Sequence, residues 1–307
     1  MKKDFISLKD LSAQEIEKIF GLTDKIKKNS QKFSQALEGK SIGLIFQKPS
    51  NRTRVSFDVG IWQLGGHPVY LSPEEIDLGK RETISDAAKT LSRYLDAVVL
   101  RTFLHQDIID FAKAAAIPVI NGLSDFEHPC QILADIYTIN KKKKYLKGIT
   151  LAYVGDGNNV CHSLLFGASK MGINIKVACP KNYEPNKEVV GAAKKFAKKA
   201  RSLVSLTNSA KEATKDADVI YTDVWASMGK EHEIEERKKV FAEFQVSSRL
   251  VSYAKKDFIF MHCLPAHRSQ EVIDEIIDGK HSVVFEQAEN RLHVQKAILV
   301  FLLGERL

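Results

Sequence analysis

The feature that most constrains this chain is a recurrence of short, wholly apolar runs separated by amphipathic stretches. The runs fall at residues 41–46, 97–100 and 117–120 in the first half, and at 149–154, 173–178, 219–222, 258–262 and 283–285 in the second. A strand with one wet face alternates apolar and polar residues, so a run that is apolar throughout must be covered on both faces. Helical patterns between the runs supply that cover. Lys194, Lys195, Lys198 and Lys199, set beside Ala and Phe, read as the wet face of one such helix. The expected fold is therefore α/β, with doubly wound parallel sheets flanked by helices and no internal repeats. At 307 residues the chain is too long for one ordinary domain. The polar, lysine-rich stretch 141–148 divides it best, predicting domains at residues 1–140 and 149–287.

Charge narrows the partners. Lys plus Arg number 46 against 38 Asp plus Glu, a net +8, which suits nucleic acid, a membrane surface or a small anion. Four consecutive lysines, residues 141–144, account for half of that surplus, and the rest is interspersed. A nucleic-acid binder concentrates its surplus on one element with aromatics interleaved. The lysine run reads more simply as a solvated linker or helix end, so neither nucleic acid nor a membrane is expected as a partner. The cysteines, Cys130, Cys161, Cys179 and Cys263, are too few and scattered for a disulfide framework, and none forms a CxxC pair. They suit a reducing cytoplasm. The start, Met1-Lys2-Lys3-Asp4-Phe5, lacks the apolar core of a signal peptide, and no uncharged apolar run reaches membrane-spanning length.

In parallel α/β sheets, ligands bind beyond the carboxyl ends of the strands, in the loops that lead to helices. After the first run comes Gln47-Lys48-Pro49-Ser50-Asn51-Arg52-Thr53-Arg54, then a helical pattern. Ser50 is placed to cap that helix, whose N-terminus offers N–H groups and partial positive charge. Two arginines and two hydroxyls gathered there suit a phosphate or carboxylate, because an arginine fork matches such oxygens. The plainer alternative is a capped helix with solvated arginines. After the run 149–154, Gly155-Asp156-Gly157-Asn158-Asn159 imitates a dinucleotide fingerprint, but Val160 stands where its last glycine belongs. Nicotinamide binding is thus the weaker reading. Asp223, which follows the run 219–222, reads either as an acceptor in a site or as a helix cap.

The segment Phe46-x-Lys48-Pro49-Ser50-x-Arg52-Thr53-Arg54-x-Ser56-Phe57 resembles the carbamoyl-phosphate signature of the aspartate and ornithine carbamoyltransferase family. Arg101-Thr102, His128-Pro129-Cys130-Gln131 and His262-Cys263-Leu264-Pro265 match further family segments in order, and the resemblance extends to Arg291. It implies carbamoyl transfer by two doubly wound domains, with residues 288–307 a helix returning to the first. The implied carbamoyl-phosphate site comprises Ser50, Asn51, Arg52, Thr53, Arg101, His128, Gln131, Cys263, Leu264 and Arg291. In it, Ser50, Arg52 and Thr53 hold the phosphate, Arg101 and His128 polarise the carbonyl oxygen, and Gln131 holds the amide. Such chemistry is sensible: an amine attacking a carbonyl makes an oxyanion and expels phosphate, so donors must wait at both places. No metal or other cofactor is expected.

Asp223-Val224-Trp225-Ala226-Ser227-Met228-Gly229 resembles the Asp-x-Trp-x-Ser-Met-Gly segment of the family's ornithine branch. By that analogy Asp223 and Ser227 hold the α-amino group, Met228 completes the loop, and Asn159 takes the α-carboxylate. A zwitterion requires an acceptor for its ammonium and a donor for its carboxylate. The aspartate branch carries His-Pro-Leu-Pro where this chain has His262-Cys263-Leu264-Pro265, and the analogy puts the Cys263 thiol beside the attacking δ-nitrogen. A covalent Cys263 nucleophile with His262 as its base is disfavoured, since adjacent strand residues face opposite ways. The implied catalytic set is Arg101, His128, Asp223 and Cys263. The implied reaction joins carbamoyl phosphate to L-ornithine, with carbamoyl phosphate binding first and the domains closing. Acetylornithine, putrescine and aspartate are the other amines of the class. Two positions depart from the family pattern. Asn51 replaces the usual Thr, and Asp77 stands where relatives carry Gln or His that reaches a neighbouring subunit's phosphate. A carboxylate there is repulsive, so Asp77 is expected to turn away while Lys80 or Arg81 takes the contact. The same segment implies a trimer or trimer-based oligomer, with active sites near the subunit interface.

Overall fold

The computed structural model describes residues 2–226 and 233–304. Among these residues, nine strands form two wholly parallel sheets. The first contains β1 (Ser41–Phe46), β2 (His67–Leu71), β3 (Ala97–Arg101) and β4 (Val119–Leu123), in the order β2-β1-β3-β4. The second contains β5 (Thr150–Val154), β6 (Asn174–Ala178), β7 (Val204–Thr207), β8 (Val219–Thr222) and β9 (Ile259–His262), in the order β7-β6-β5-β8-β9. Helices connect the strands throughout, as parallel pairing requires.

Each sheet belongs to its own compact unit. One comprises Met1–Tyr137 together with Glu289–Leu307, and the other Thr138–Ala288. The chain passes from the first to the second inside the helix Pro129–Lys143, ahead of the lysine run, and returns inside the helix Val284–Leu303. Residues 141–143 form the last turn of the former helix, where lysines meet the negative end of the helix dipole. Polar composition therefore marks the end of that helix, a few residues past the point where one compact unit gives way to the other.

Burial explains which strands have the apolar signature. In β3 and β8 every residue is buried, and in β1 all but Ser41 are. The edge strands β2 and β7 are only partly covered, so Pro68, Ser205 and Thr207 are tolerated and no apolar run announces them. The run 283–285, expected to be a strand, is not one. Ser282 makes an isolated bridge to Phe260, and Val284 then opens the final helix with Phe285 71% exposed. Three apolar residues do not separate a strand from a helix start; the helical pattern that follows decides it.

Strand order also fixes where polar chemistry can sit. β1 lies between β2 and β3, and β5 between β6 and β8, so successive connections leave in opposite directions at the β1/β3 and β5/β8 pairs. Beyond the carboxyl ends of such pairs an α/β sheet opens a crevice. In the second unit one approach is very close. A Cβ added to Gly157, in the loop after β5, meets Pro185 N at 2.2 Å and Glu184 C at 2.5 Å. Both are backbone atoms, which cannot rotate aside. Gly157→Ala is expected to destabilise the protein by about 1–3 kcal/mol or more, read as a lowered urea midpoint.

Candidate functional site

In the first unit the loop after β1 leads into the helix Asn51–Gln63, with Ser50 at its N-cap in an extended conformation (φ −152°, ψ 107°). The position is the expected one, but the Ser50 side chain makes no capping hydrogen bond. Asn51 opens the helix exposed to solvent, and Arg52 is half-buried. Thr53 is buried, and its Oγ1 accepts from Arg291 Nη2 at 2.6 Å and from Arg101 Nη1 at 3.4 Å. Arg101 ends β3, where the register against β4 shifts between Leu100 and Arg101; such irregularities re-aim a side chain. Arg291 comes from the final helix, and both guanidinium groups are at least 95% buried. Arg54 does not join them, because it lies 3.6 Å over the Tyr70 ring.

His128 and Gln131 stand at the start of the helix Pro129–Lys143 and are likewise buried. Burial, reinforced by Arg291, Arg101 and Arg52, holds the His128 imidazole well below its usual 6.5, so it is neutral at neutral pH. Gln131 Nε2 donates to Asp135 Oδ1 at 2.8 Å, while its Oε1 is buried without a hydrogen-bond partner. Three guanidinium groups thus act on His128, and Gln131 adds a buried amide acceptor to the same helix start. Asp77 closes the short helix Pro73–Ile76 with φ 36° and lies 3.5 Å from Lys80, and Arg81 donates to the Glu75 carbonyl at 3.2 Å. The two cations expected to reach a phosphate are thus engaged within their own segment.

In the second unit the loops after β5, β8 and β9 converge. Asp223, just past β8, is buried; its Oδ1 accepts from Cys263 Sγ at 3.0 Å and its Oδ2 from Asn158 Nδ2 at 2.8 Å. It is therefore not a helix cap. Asn159 begins the helix Asn159–Lys170, with its Oδ1 3.1 Å from Val160 N. Ser227 and Met228 lie outside the described residues. His262 is fully buried, with Nε2 3.1 Å from Glu271 Oε1 and Nδ1 accepting from Leu264 N at 2.9 Å. Neither ring nitrogen serves the neighbouring thiol, whose partner is the Asp223 carboxylate. Leu264 is left-handed (φ 57°), and the Leu264–Pro265 peptide is cis. Among the described residues, ligand atoms of Asp223, His262 and Cys263 lie within 4.8 Å of one another. A metal there has to displace a partner of His262, which makes this a poor ligand set.

Sequence reasoning did not single out Arg237. It is buried, and its Nη1 donates to Asp156 Oδ2 at 2.8 Å and to the Trp225 carbonyl at 2.6 Å, while Nε reaches Glu233 Oε2 at 2.7 Å. It ties the loop after β5 to the loop after β8. Asp156 lies 81 positions away in the chain, so no local spacing reveals the pair.

Comparison with known proteins shows the family. Residues 3–141 match the family model described as aspartate/ornithine carbamoyltransferase, carbamoyl-P binding domain, and residues 147–302 match its Asp/Orn binding domain. The chain is 52% identical over 304 residues to an ornithine carbamoyltransferase of Thermococcus kodakarensis, covering 98% of this chain and 96% of that one. It is 54% identical over 297 residues to an ornithine carbamoyltransferase of Bacillus subtilis, covering 97% and 92%. Among solved structures, an ornithine carbamoyltransferase from Pyrococcus furiosus matches with a TM-score of 0.96 at 51% identity, over 98% of this chain and 97% of that one.

The neutral imidazole has a consequence for stability. Below pH 6.5 an unfolded His128 takes up a proton that the folded site refuses, so the unfolded state binds more protons and stability falls as pH drops. The urea midpoint is expected to decline below pH 6.5 in the wild type and less steeply in His128→Gln. Identical slopes in the two proteins count against the assignment.

Proposed function

The chain belongs to the aspartate/ornithine carbamoyltransferase family, and from that premise we propose that it transfers the carbamoyl group of carbamoyl phosphate to the δ-amino group of L-ornithine, giving L-citrulline and phosphate. The observation that carries the reading is the convergence of Arg101 and Arg291 on Thr53 beside a neutral His128. Guanidinium groups brought together in this way offer forked N–H donors that match phosphate oxygens.

On this reading the phosphate sits on Ser50, Asn51, Arg52 and Thr53 at the helix N-terminus, with Arg291 as a further fork. Arg101 and His128 donate to the carbonyl oxygen, where negative charge grows as the amine attacks. A neutral imidazole serves here as an N–H donor. Gln131 Oε1, the buried acceptor, receives the carbamoyl NH₂. In the second unit Asn159 holds the α-carboxylate, Asp223 and Ser227 hold the α-amino group beside Met228, and Cys263 lies beside the δ-nitrogen. That nitrogen attacks unprotonated. Its lone pair forms the C–N bond, the C–O bond to phosphate breaks, phosphate leaves with the bonding pair, and the nitrogen releases one proton.

We also assign a trimer or trimer-based oligomer with active sites near the subunit interface. In support, Val55, Val59 and Trp62 present an exposed apolar stripe, with Trp62 73% exposed, on the helix whose N-terminus forms the anion site. Contiguous exposed apolar surface of this kind favours an interface. The cytoplasm is the proposed location. All four cysteines are thiols, which a reducing compartment preserves. No helix among the described residues is long and apolar enough to cross a membrane.

The test is citrulline formation measured in parallel with ornithine, acetylornithine and putrescine as acceptors, for the wild type and Arg52→Ala. Ornithine is expected to be the preferred acceptor, and loss of the Arg52 fork is expected to lower kcat/KM about 100-fold or more. Near-normal activity in Arg52→Ala overturns the phosphate assignment, and preference for another amine overturns the substrate.

A further inference from the structure

We propose that Asn158 is a positioning residue for ornithine: its side-chain amide sets the orientation of Asp223. This rests on the reading of Asp223 as an ornithine-binding group and extends it to a residue that does not itself touch the substrate.

Asn158 is the N-cap of the helix Asn159–Lys170, and its Oδ1 accepts from Val160 N at 3.0 Å and Cys161 N at 3.2 Å. Capping uses only an acceptor, so Ser, Thr or Asp serves as well. Asparagine alone among the good caps also carries an N–H₂ donor. That donor is in use: Nδ2 lies 2.8 Å from Asp223 Oδ2. On the other oxygen Asp223 accepts from Cys263 Sγ at 3.0 Å. One donor from the loop after β5 and one from the loop after β9 therefore fix the plane of a carboxylate in the loop after β8. A carboxylate has about four acceptor directions, so capacity remains for an ammonium group.

Two further contacts keep the donor itself in place. Tyr153, at the end of β5, directs its hydroxyl to the Asp156 carbonyl at 2.7 Å and lies 3.3 Å from Asn158 Oδ1. Arg237 joins Asp156 to the Trp225 carbonyl, holding the same two loops together independently of the Asn158–Asp223 bond. Asn158 Oδ1 is thus held by two backbone N–H groups and the Tyr153 hydroxyl, with the amide N–H₂ directed at Asp223.

The test separates capping from orientation. Asn158→Asp keeps the cap acceptor and sets a carboxylate against Asp223; Asn158→Ser keeps the cap and removes the donor without adding charge. For Asn158→Asp the KM for ornithine is expected to rise about tenfold or more, with a smaller rise for Asn158→Ser, because a hydrogen bond to a charged group is lost. In both variants the KM for carbamoyl phosphate is expected to stay within about twofold, since no group assigned to that substrate in the first unit is touched. An unchanged ornithine KM in either folded variant, or an equal rise in both KM values, overturns the proposal. A second readout does not depend on activity. Asn158→Asp combined with Asp223→Asn restores a donor–acceptor pair with the roles exchanged, so its urea midpoint is expected to exceed that of Asn158→Asp alone. Strictly additive midpoints overturn the positioning role. Absence of citrulline formation by the wild type overturns the proposed function instead, and the midpoint comparison still decides the Asn158–Asp223 coupling.

Discussion

Strands buried on both faces can carry almost no polar side chains along their length. The rest of this structure depends on that constraint. β3 is Ala-Val-Val-Leu until its last residue, Arg101, and β8 ends where Asp223 begins. Polar chemistry is confined to the positions where the chain leaves the sheet, and strand order selects the ends of β1, β3, β5 and β8 among them. Most of the positions proposed for substrates lie at such strand ends. The exceptions are Cys263, which follows the edge strand β9, and the helix-borne Arg291 and His128–Gln131 turn.

Placing arginines at such ends carries an electrostatic cost. Arg101 and Arg291 are almost entirely buried and share the hydroxyl of Thr53, a neutral acceptor. Burial, reinforced by their field, keeps the His128 imidazole unprotonated. Binding energy and folding energy are linked here: a dianion that binds only the folded chain stabilises it in proportion to its affinity. The diffuse surplus of +8 has little part in this. Much of it lies in helix-end lysines such as residues 141–143, where it complements a dipole and selects no partner.

What could be read from the sequence follows the range of the interactions. Fully buried strands such as β1 and β8 are legible because burial on both faces leaves a local apolar run, whereas β2 and β7 are only partly covered and leave none. The first-unit residues Ser50 to Thr53 are contiguous, so the cluster of arginines and hydroxyls is visible as a segment. Their convergence with Arg291, 238 positions later, is visible only through family resemblance. Asn158 lies one residue before an expected site residue and could be identified as a cap. Its second bond, to a carboxylate 65 positions away, has no local trace. Arg237 had no signal of either kind.

The same distinction explains why the Cys263 environment could be narrowed in advance but not completed. Alternation of side chains along a strand puts His262 and Cys263 on opposite faces, and the structure bears that out: His262 turns to Glu271 and to its own loop, while the thiol turns to Asp223. Alternation says which face a residue takes and nothing about what meets it there. The partner is supplied by a neighbouring strand's loop, and β8 pairs with β9 in a register that puts Thr222 beside His262. The residues that follow each, Asp223 and Cys263, are consequently brought side by side. A one-residue slip of that register turns the β9 side chains to the opposite faces of the sheet. It would present His262 in place of Cys263, an imidazole engaged with Glu271 where a thiol now meets the carboxylate. The chemistry of this corner thus rests on the packing of β9, whose buried Phe260 and Met261 hold the register from both faces of the sheet.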